Sequence, residues 1–165
     1  MSFDSVRAWL AEHAPELRLI DGHASTATVA DAAAALGVAP ARIAKTLAVR
    51  AGSETFLLVA RGDARLDNGR CKAEFGARPR MLGPDETLAL TGHPVGGVCP
   101  FGLAAPIPVY LDRSLEAFDT VYPAAGSRTA SLEIAPERLF ELVGTRWVEL
   151  CTVPGEQRRD DATSS

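Results

Sequence analysis

The segment Thr91–Gly102 (Thr-Gly-His-Pro-Val-Gly-Gly-Val-Cys-Pro-Phe-Gly) limits the fold more than any other part of the chain. Four of its twelve residues are glycine and two are proline. Neither a helix nor a central strand accommodates that density of residues with no Cβ or a locked φ. Yet Val95, Val98, Cys99 and Phe101 are apolar, so the segment is not a solvated linker. It reads as a loop packed down with its main chain close to something else. Two readings are open: the main-chain wall of a binding site, and an ordinary buried turn between two elements.

A length of 165 residues suits one domain with a tail. An apolar share of 47% supplies a core, and 23% charged residues fit a soluble globular chain. No apolar run reaches the roughly 20 residues that span a bilayer. The start, Met1-Ser2-Phe3-Asp4, has no signal-type pattern, so the expected setting is the cytoplasm, without a membrane partner. The net charge of −4 argues against a protein that coats DNA or RNA, whose affinity comes from neutralised phosphates. It leaves room for a small site that takes one end of an RNA. The cluster Arg61, Arg65, Arg70, Lys72, Arg78 and Arg80 reads as a solvated helix with its flanks. Cys71, Cys99 and Cys151 are distant and odd in number, and His13, His23 and His93 lack ligand spacing. Neither a disulfide framework nor a metal site is expected.

Apolar spacing after Ser2 predicts a first helix through Leu10, ended by Pro15, and then a short strand around Leu17–Ile20. Thr28 is a candidate N-cap for an alanine-rich helix that Gly37 stops. Pro40 suits the start of a short helix over Ala41–Ala44. Thr46–Ala51 and Thr55–Ala60 read as a hairpin turned at Gly52-Ser53. Further helices are expected up to Phe75, from Pro84 and from Pro136, with strands at Arg80–Leu82, Ile107–Leu111 and Trp147–Leu150. One helical turn is expected at Ser114–Phe118, and a strand pair at Thr120–Tyr122 and Thr129–Ile134. Residues 1–153 form the domain, and the strongly polar 154–165 form a disordered or loosely attached tail. Tightly linked strands interspersed with helices favour an α+β domain over a doubly wound parallel sheet. No Walker A or GxGxxG sequence is present.

Lys45 stands inside the apolar run Ile43–Val49, and it is one of only two lysines among 17 basic residues. Either a compact point charge is wanted there, or the stem packs and the amine snorkels to water.

Three segments together resemble the YbaK and prolyl-tRNA synthetase-associated editing domains. The first is Thr28-Val29-Ala30 with its helix, followed by Ile43-Ala44-Lys45-Thr46-Leu47. The second is the Thr91–Gly102 loop, and the third is Ala125-Gly126-Ser127 leading to Leu132-Glu133-Ile134 and Pro136. The resemblance covers roughly residues 20 to 150. It implies a single α+β domain with a curved, barrel-like mixed β-sheet flanked by helices. It also implies a trans-acting deacylase that hydrolyses the ester of a mischarged tRNA, chiefly tRNA for proline, without metal or organic cofactor. Lys45 falls on the family's lysine, Gly96, Gly97 and Pro100 on its GxxxP loop, and Thr28 on a pocket position. Ser131 stands where YbaK-type members carry aspartate, and Ser127 stands in the preceding turn in place of a lysine. A YbaK-type preference for cysteine is therefore not implied.

An aminoacyl ester is already activated, so positioning and electrostatics suffice. On this reading Gly96 and Gly97 hold the terminal ribose and water through main chain, and Lys45 supplies positive charge. Thr28, His93, Val98, Cys99, Ser127 and Ser131 line the substrate. Pocket size selects the amino acid, with alanine first and serine, threonine or cysteine behind. For Cys99 a nucleophilic role stands as an alternative; for His93, capping of a turn; and for Arg128, either a phosphate contact or simple exposure. Expected partners are the aminoacylated tRNA end and a prolyl-tRNA synthetase or elongation factor that delivers it. The rival readings are a non-catalytic module that binds aminoacyl-tRNA or a synthetase, and a small-molecule hydrolase using Cys99.

Overall fold

The computed structural model describes residues 2–22, 24, 28–94 and 97–155. The elements are α1 (Ser2–His13), β1 (Leu19–Asp21), α2 (Val29–Leu36), β2 (Ile43–Ala51), β3 (Glu54–Arg61), β4 (Arg65–Leu66), α3 (Asn68–Phe75) and β5 (Pro79–Met81). They continue with α4 (Pro84–Thr91), β6 (Val109–Asp112), β7 (Tyr122–Pro123), β8 (Ala130–Leu132), α5 (Pro136–Val143), β9 (Arg146–Val148) and β10 (Cys151–Thr152). Short 3-10 turns lie at Pro40–Arg42 and Arg113–Ala117.

The β2–β3 hairpin is the centre of a six-stranded mixed sheet in the order β5-β2-β3-β6-β9, with β7 also paired to β2. Two short antiparallel ribbons, β1–β8 and β4–β10, accompany it. Gly52 turns the hairpin at φ +62°, where a side chain is disfavoured. Phe56, Leu57, Leu58, Val59 and Ala60 of β3 are all fully buried. Such an unbroken apolar run marks a strand covered on both faces. One face carries Leu57 and Val59 into a core with Leu111, Leu132 and Leu139, against which Phe3 and Trp9 of α1 also pack. The other carries Phe56 and Leu58 into a core with Cys71, Tyr110 and Leu150, where Phe56 stacks on Phe75 of α3 at 4.8 Å between ring centroids.

Local capping follows the sequence. Thr28 Oγ1 accepts the Asp31 N–H at the start of α2, and Asp67 accepts the Arg70 N–H at the start of α3. Gly37 and Gly76 close these helices in the left-handed region.

The α+β class stands, two local expectations are corrected and one is extended. Pro40 opens only a 3-10 turn, and Ile43 and Ala44 belong to β2 because β7 arrives to pair with them in parallel. The expected pair at 120–134 is present as antiparallel bridges at Val121–Ile134 and Ala124–Ser131, but each strand also takes a second partner that was not expected, β7 pairing with β2 and β8 with β1. The last strand breaks at Leu150 into β9 and β10. Of the expected tail, only Pro154 and Gly155 are among the described residues.

The break at Leu150 has a cause. The buried Asp112 carboxylate accepts the backbone N–H of Leu150 at 2.7 Å, of Cys151 at 3.1 Å and of Ser114 at 3.0 Å. Asp112→Ala strands these donors, and each such loss costs about 1–3 kcal/mol. The expected result in urea denaturation is a stability loss of about 3 kcal/mol at unchanged slope. A loss below about 1 kcal/mol would show that this carboxylate does not hold the chain end.

Candidate active site

β2 divides its outer edge between two partners. Ile43 and Ala44 pair in parallel with Tyr122 and Pro123 of β7, whereas Val49–Ala51 pair antiparallel with Pro79–Met81 of β5. Leu82 adds one bond, its N–H donating to the Ala48 carbonyl at 3.0 Å. Backbone groups alternate in direction along a strand. Because the Ala48 carbonyl faces this edge, the N–H and C=O of Thr46 face it too. The two ladders stop short of Thr46, so its main chain lies in a gap between them.

A cavity of about 360 Å³ opens at this gap. Thr28, Val29 and Ala32 of α2 form one wall and residues 43–48 of β2 another. Met81, Leu82 and Thr87 close a third side, and Val98, Tyr122, Ala124 and Ser131 complete the lining. Four of the residues expected from the sequence therefore meet here: Thr28, Lys45, Val98 and Ser131. They come from a helix cap, a strand, the Gly/Pro loop and β8. The rim is held by a polar chain. Arg42 donates to the Thr120 carbonyl at 3.1 Å and to its hydroxyl, and Thr120 Oγ1 and Tyr122 OH donate to Glu133 at 3.1 and 2.9 Å. The Arg42 guanidinium also lies over the Tyr122 ring, 5.1 Å from its centroid.

The other expected residues lie elsewhere. His93, Cys99 and Phe101 are fully buried within the Gly/Pro loop and do not line the cavity. His93 Nε2 sits 2.7 Å from the Phe101 carbonyl. A carbonyl only accepts, so Nε2 carries the proton. Burial holds the imidazole pKa below its usual value, which keeps the ring neutral. Cys99 Sγ is 3.5 Å from the same nitrogen, but that nitrogen has no free lone pair to take a thiol proton. Burial also pushes the Cys99 thiol up to about 12. This pair is a packing contact, not a nucleophile and base.

Gly97 explains how the loop is seated. A Cβ there would lie 3.0 Å from Ser127 Cα and N and 3.1 Å from Gly126 C, all of them backbone. The loop thus lies directly on the Ala125-Gly126-Ser127 turn. At its other end Gly102 approaches the Ser5 carbonyl of α1 just as closely. The Gly97 N–H is donated to the Pro94 carbonyl at 2.9 Å. Gly96 lies outside the described residues. Pro100 is buried and Ser127 caps its own turn by accepting the Thr129 N–H at 3.2 Å; neither lines the cavity.

Lys45 borders the cavity, but its ammonium donates to the Ala64 carbonyl beside Asp63, Arg65 and Cys151. Strand alternation agrees, since Lys45 shares parity with Val49 and Ala51 of one core while Ala44 and Ala48 enter the other. Burial pulls the Lys45 pKa below the usual lysine range, opposed by nearby Cys151 and Asp63.

Sequence reasoning missed Thr46, Leu82, Thr87 and Tyr122. Only Thr46 carried a signal, as the polar neighbour of Lys45 in an apolar strand. Among the described residues, no three His, Cys, Asp or Glu side chains come together as a metal site. The burial of Cys71, Cys99 and Cys151 predicts that Ellman's reagent labels the native protein only slowly and all three thiols after denaturation. Rapid native labelling mapped to Cys99 would overturn the packing assignment.

Comparison with known proteins places this geometry. Residues 23–142 match the model of the aminoacyl-tRNA editing domain. The chain is 45% identical over 153 residues to the "Uncharacterized protein YwhH" of Bacillus subtilis, covering 92% of this chain and 98% of that one. It is 32% identical over 135 residues to an Enterococcus faecalis protein named "Putative Cys-tRNA(Pro)/Cys-tRNA(Cys) deacylase EbsC", covering 80% of each. A crystal structure described as "a putative trans-editing enzyme for prolyl tRNA synthetase" superposes with a TM-score of 0.83 at 32% identity, covering 92% of this chain and 97% of that one. The cavity between α2, β2 and the Gly/Pro loop is thus set in a chain that belongs to the aminoacyl-tRNA editing domain family.

Proposed function

We propose that this protein hydrolyses the ester between a small, wrongly attached amino acid and its tRNA, with tRNA for proline the first candidate. The observation that supports it best is the shared cavity: the strand bearing Lys45 and the Gly/Pro loop bearing Val98 border one space in a member of the editing family. The names of the Enterococcus relative and of the structural neighbour point to the same chemistry. Alanine leads on size, with serine, threonine and cysteine as alternatives.

In the reaction, water adds to the ester carbonyl and the bond from acyl carbon to ribose oxygen breaks. The ribose oxygen takes a proton, and the amino acid leaves as its carboxylate. The free neighbouring ribose hydroxyl assists the proton transfer. Lys45 supplies positive charge to the terminal phosphate or the developing oxyanion, exchanging the Ala64 carbonyl for the substrate. The net charge of −4 gives weak affinity for the tRNA body, so a prolyl-tRNA synthetase or elongation factor delivers the substrate in the cytoplasm. The engagement of the Lys45 ammonium by Ala64 favours a second reading, a module that binds aminoacyl-tRNA without cleaving it.

The test is purified protein against tRNA for proline charged in turn with alanine, cysteine, serine, threonine and proline. Release of one or more small amino acids, with proline spared, is expected; release of none favours the binding module. Lys45→Ala is expected to lower kcat/KM by about 100-fold or more with the fold intact by circular dichroism. Because burial lowers the Lys45 pKa, corrected rates fall with rising pH below the ordinary lysine range. Lys45→Arg, which keeps its charge, removes that alkaline fall. Full activity in Lys45→Ala would take Lys45 out of the chemistry.

A further inference from the structure

One residue of the cavity lining carries a buried polar side-chain atom with nothing to bond. Thr28 Oγ1 is spent on the α2 cap, Thr87 Oγ1 donates to Gly83, Tyr122 OH donates to Glu133 and Lys45 donates to Ala64. Ser131 is also engaged. Among the described residues, Thr46 Oγ1 is the buried side-chain polar atom with no hydrogen-bond partner. It belongs to the residue whose main chain lies between the β7 and β5 ladders. Thr46 thus brings an N–H and a C=O to one place in an otherwise apolar or already bonded lining, and its unpartnered hydroxyl is buried beside them.

An open strand edge has a defined complement. Another residue in extended conformation pairs with it by giving its N–H to the edge carbonyl and accepting the edge N–H on its own carbonyl. An aminoacyl ester carries both groups, an α-amino donor and an acyl carbonyl. In such a pair the two side chains stand on the same face, directly opposite each other. The side chain opposite the substrate's is then that of Thr46.

We propose that the aminoacyl group docks as a one-residue strand on Thr46, and that the buried Thr46 hydroxyl turns toward it about χ1, reads the substrate side chain and selects hydroxyl-bearing amino acids, serine foremost, over alanine. This rests on the deacylase reading above and reverses its size-based order. The Thr46 C=O takes the α-amino group and the Thr46 N–H points at the ester carbonyl, where charge develops as water adds. The unpartnered hydroxyl gains its missing bond only when the bound side chain offers one. A site built to bond a hydroxyl discriminates against the isostere that lacks it more strongly than size alone does.

The experiment compares wild type, Thr46→Val and Thr46→Ser on tRNA charged with serine and with alanine. Each protein is also titrated, by amide NMR, with non-hydrolysable seryl-amide and alanyl-amide analogues of the terminal adenosine. Wild type is expected to favour serine by about 10-fold or more. Thr46→Val, nearly isosteric, is expected to lower the serine-to-alanine ratio by about 10- to 100-fold, and Thr46→Ser to restore it. The seryl analogue is expected to shift the Thr46 amide resonance. Equal wild-type rates on serine and alanine, or a Thr46→Val loss that strikes both equally, would overturn hydroxyl selection while leaving the deacylase reading in place. Absence of hydrolysis with a seryl-specific shift at Thr46 would overturn the deacylase reading and support this one. Absence of both would overturn both.

Discussion

The structure depends on how the outer edge of β2 satisfies its backbone. A central strand exposes a row of donors and acceptors, and buried ones must be bonded. Here that edge is shared by two short strands from distant parts of the chain, one parallel and one antiparallel. They stop short of each other, because the chain turns into α4 at Pro84 just after Leu82 and Ala124 leaves β7 to bridge Ser131. What they leave is a notch along Lys45, Thr46 and Leu47. α2 and the Gly/Pro loop roof the notch, and the result is a cavity rather than a cleft between domains.

The Gly/Pro loop serves this arrangement mainly as a seated support. Its imidazole and thiol face inward and both turn to the Phe101 carbonyl of the same loop. Its glycines permit backbone to lie on backbone, at Gly126-Ser127 on one side and Ser5 on the other. Trp9 of α1 and Phe101 approach to 5.7 Å between ring centroids, anchoring the far end. Val98 is then presented to the cavity next to the backbone contact at Gly126-Ser127. The charge of Lys45 sits just behind the same wall, tied to the turn that follows β3.

Much of this was legible in the residues. Thr28, Gly37, Asp67 and Gly76 announce their helix ends because capping is local chemistry. The apolar character of a glycine-rich loop announced that it would be packed. The hairpin was legible because its register is set by a two-residue turn. Features set by distant partners were not. Ile43 and Ala44 read as helix after Pro40 until Tyr122 and Pro123 arrive beside them. Whether His93 and Cys99 face a ligand or each other depends on loop closure, which no periodicity encodes. Thr46 stands out in the sequence only as a polar residue beside Lys45, and its place between two ladders appears only when the neighbours on its outer edge are counted.

The divided edge of β2 also bears on how the chain comes off the ribosome. The hairpin can close as soon as Arg61 has emerged, whereas Pro79–Met81 and then Tyr122–Pro123 follow far later. Until Pro79–Met81 emerge the whole outer edge of β2 is bare, and its Ile43–Ala44 end stays so until Tyr122–Pro123 follow; a bare strand edge recruits other chains. The notch is what remains of this exposure after folding, a small and roofed vestige of a surface that the nascent protein must keep from its neighbours.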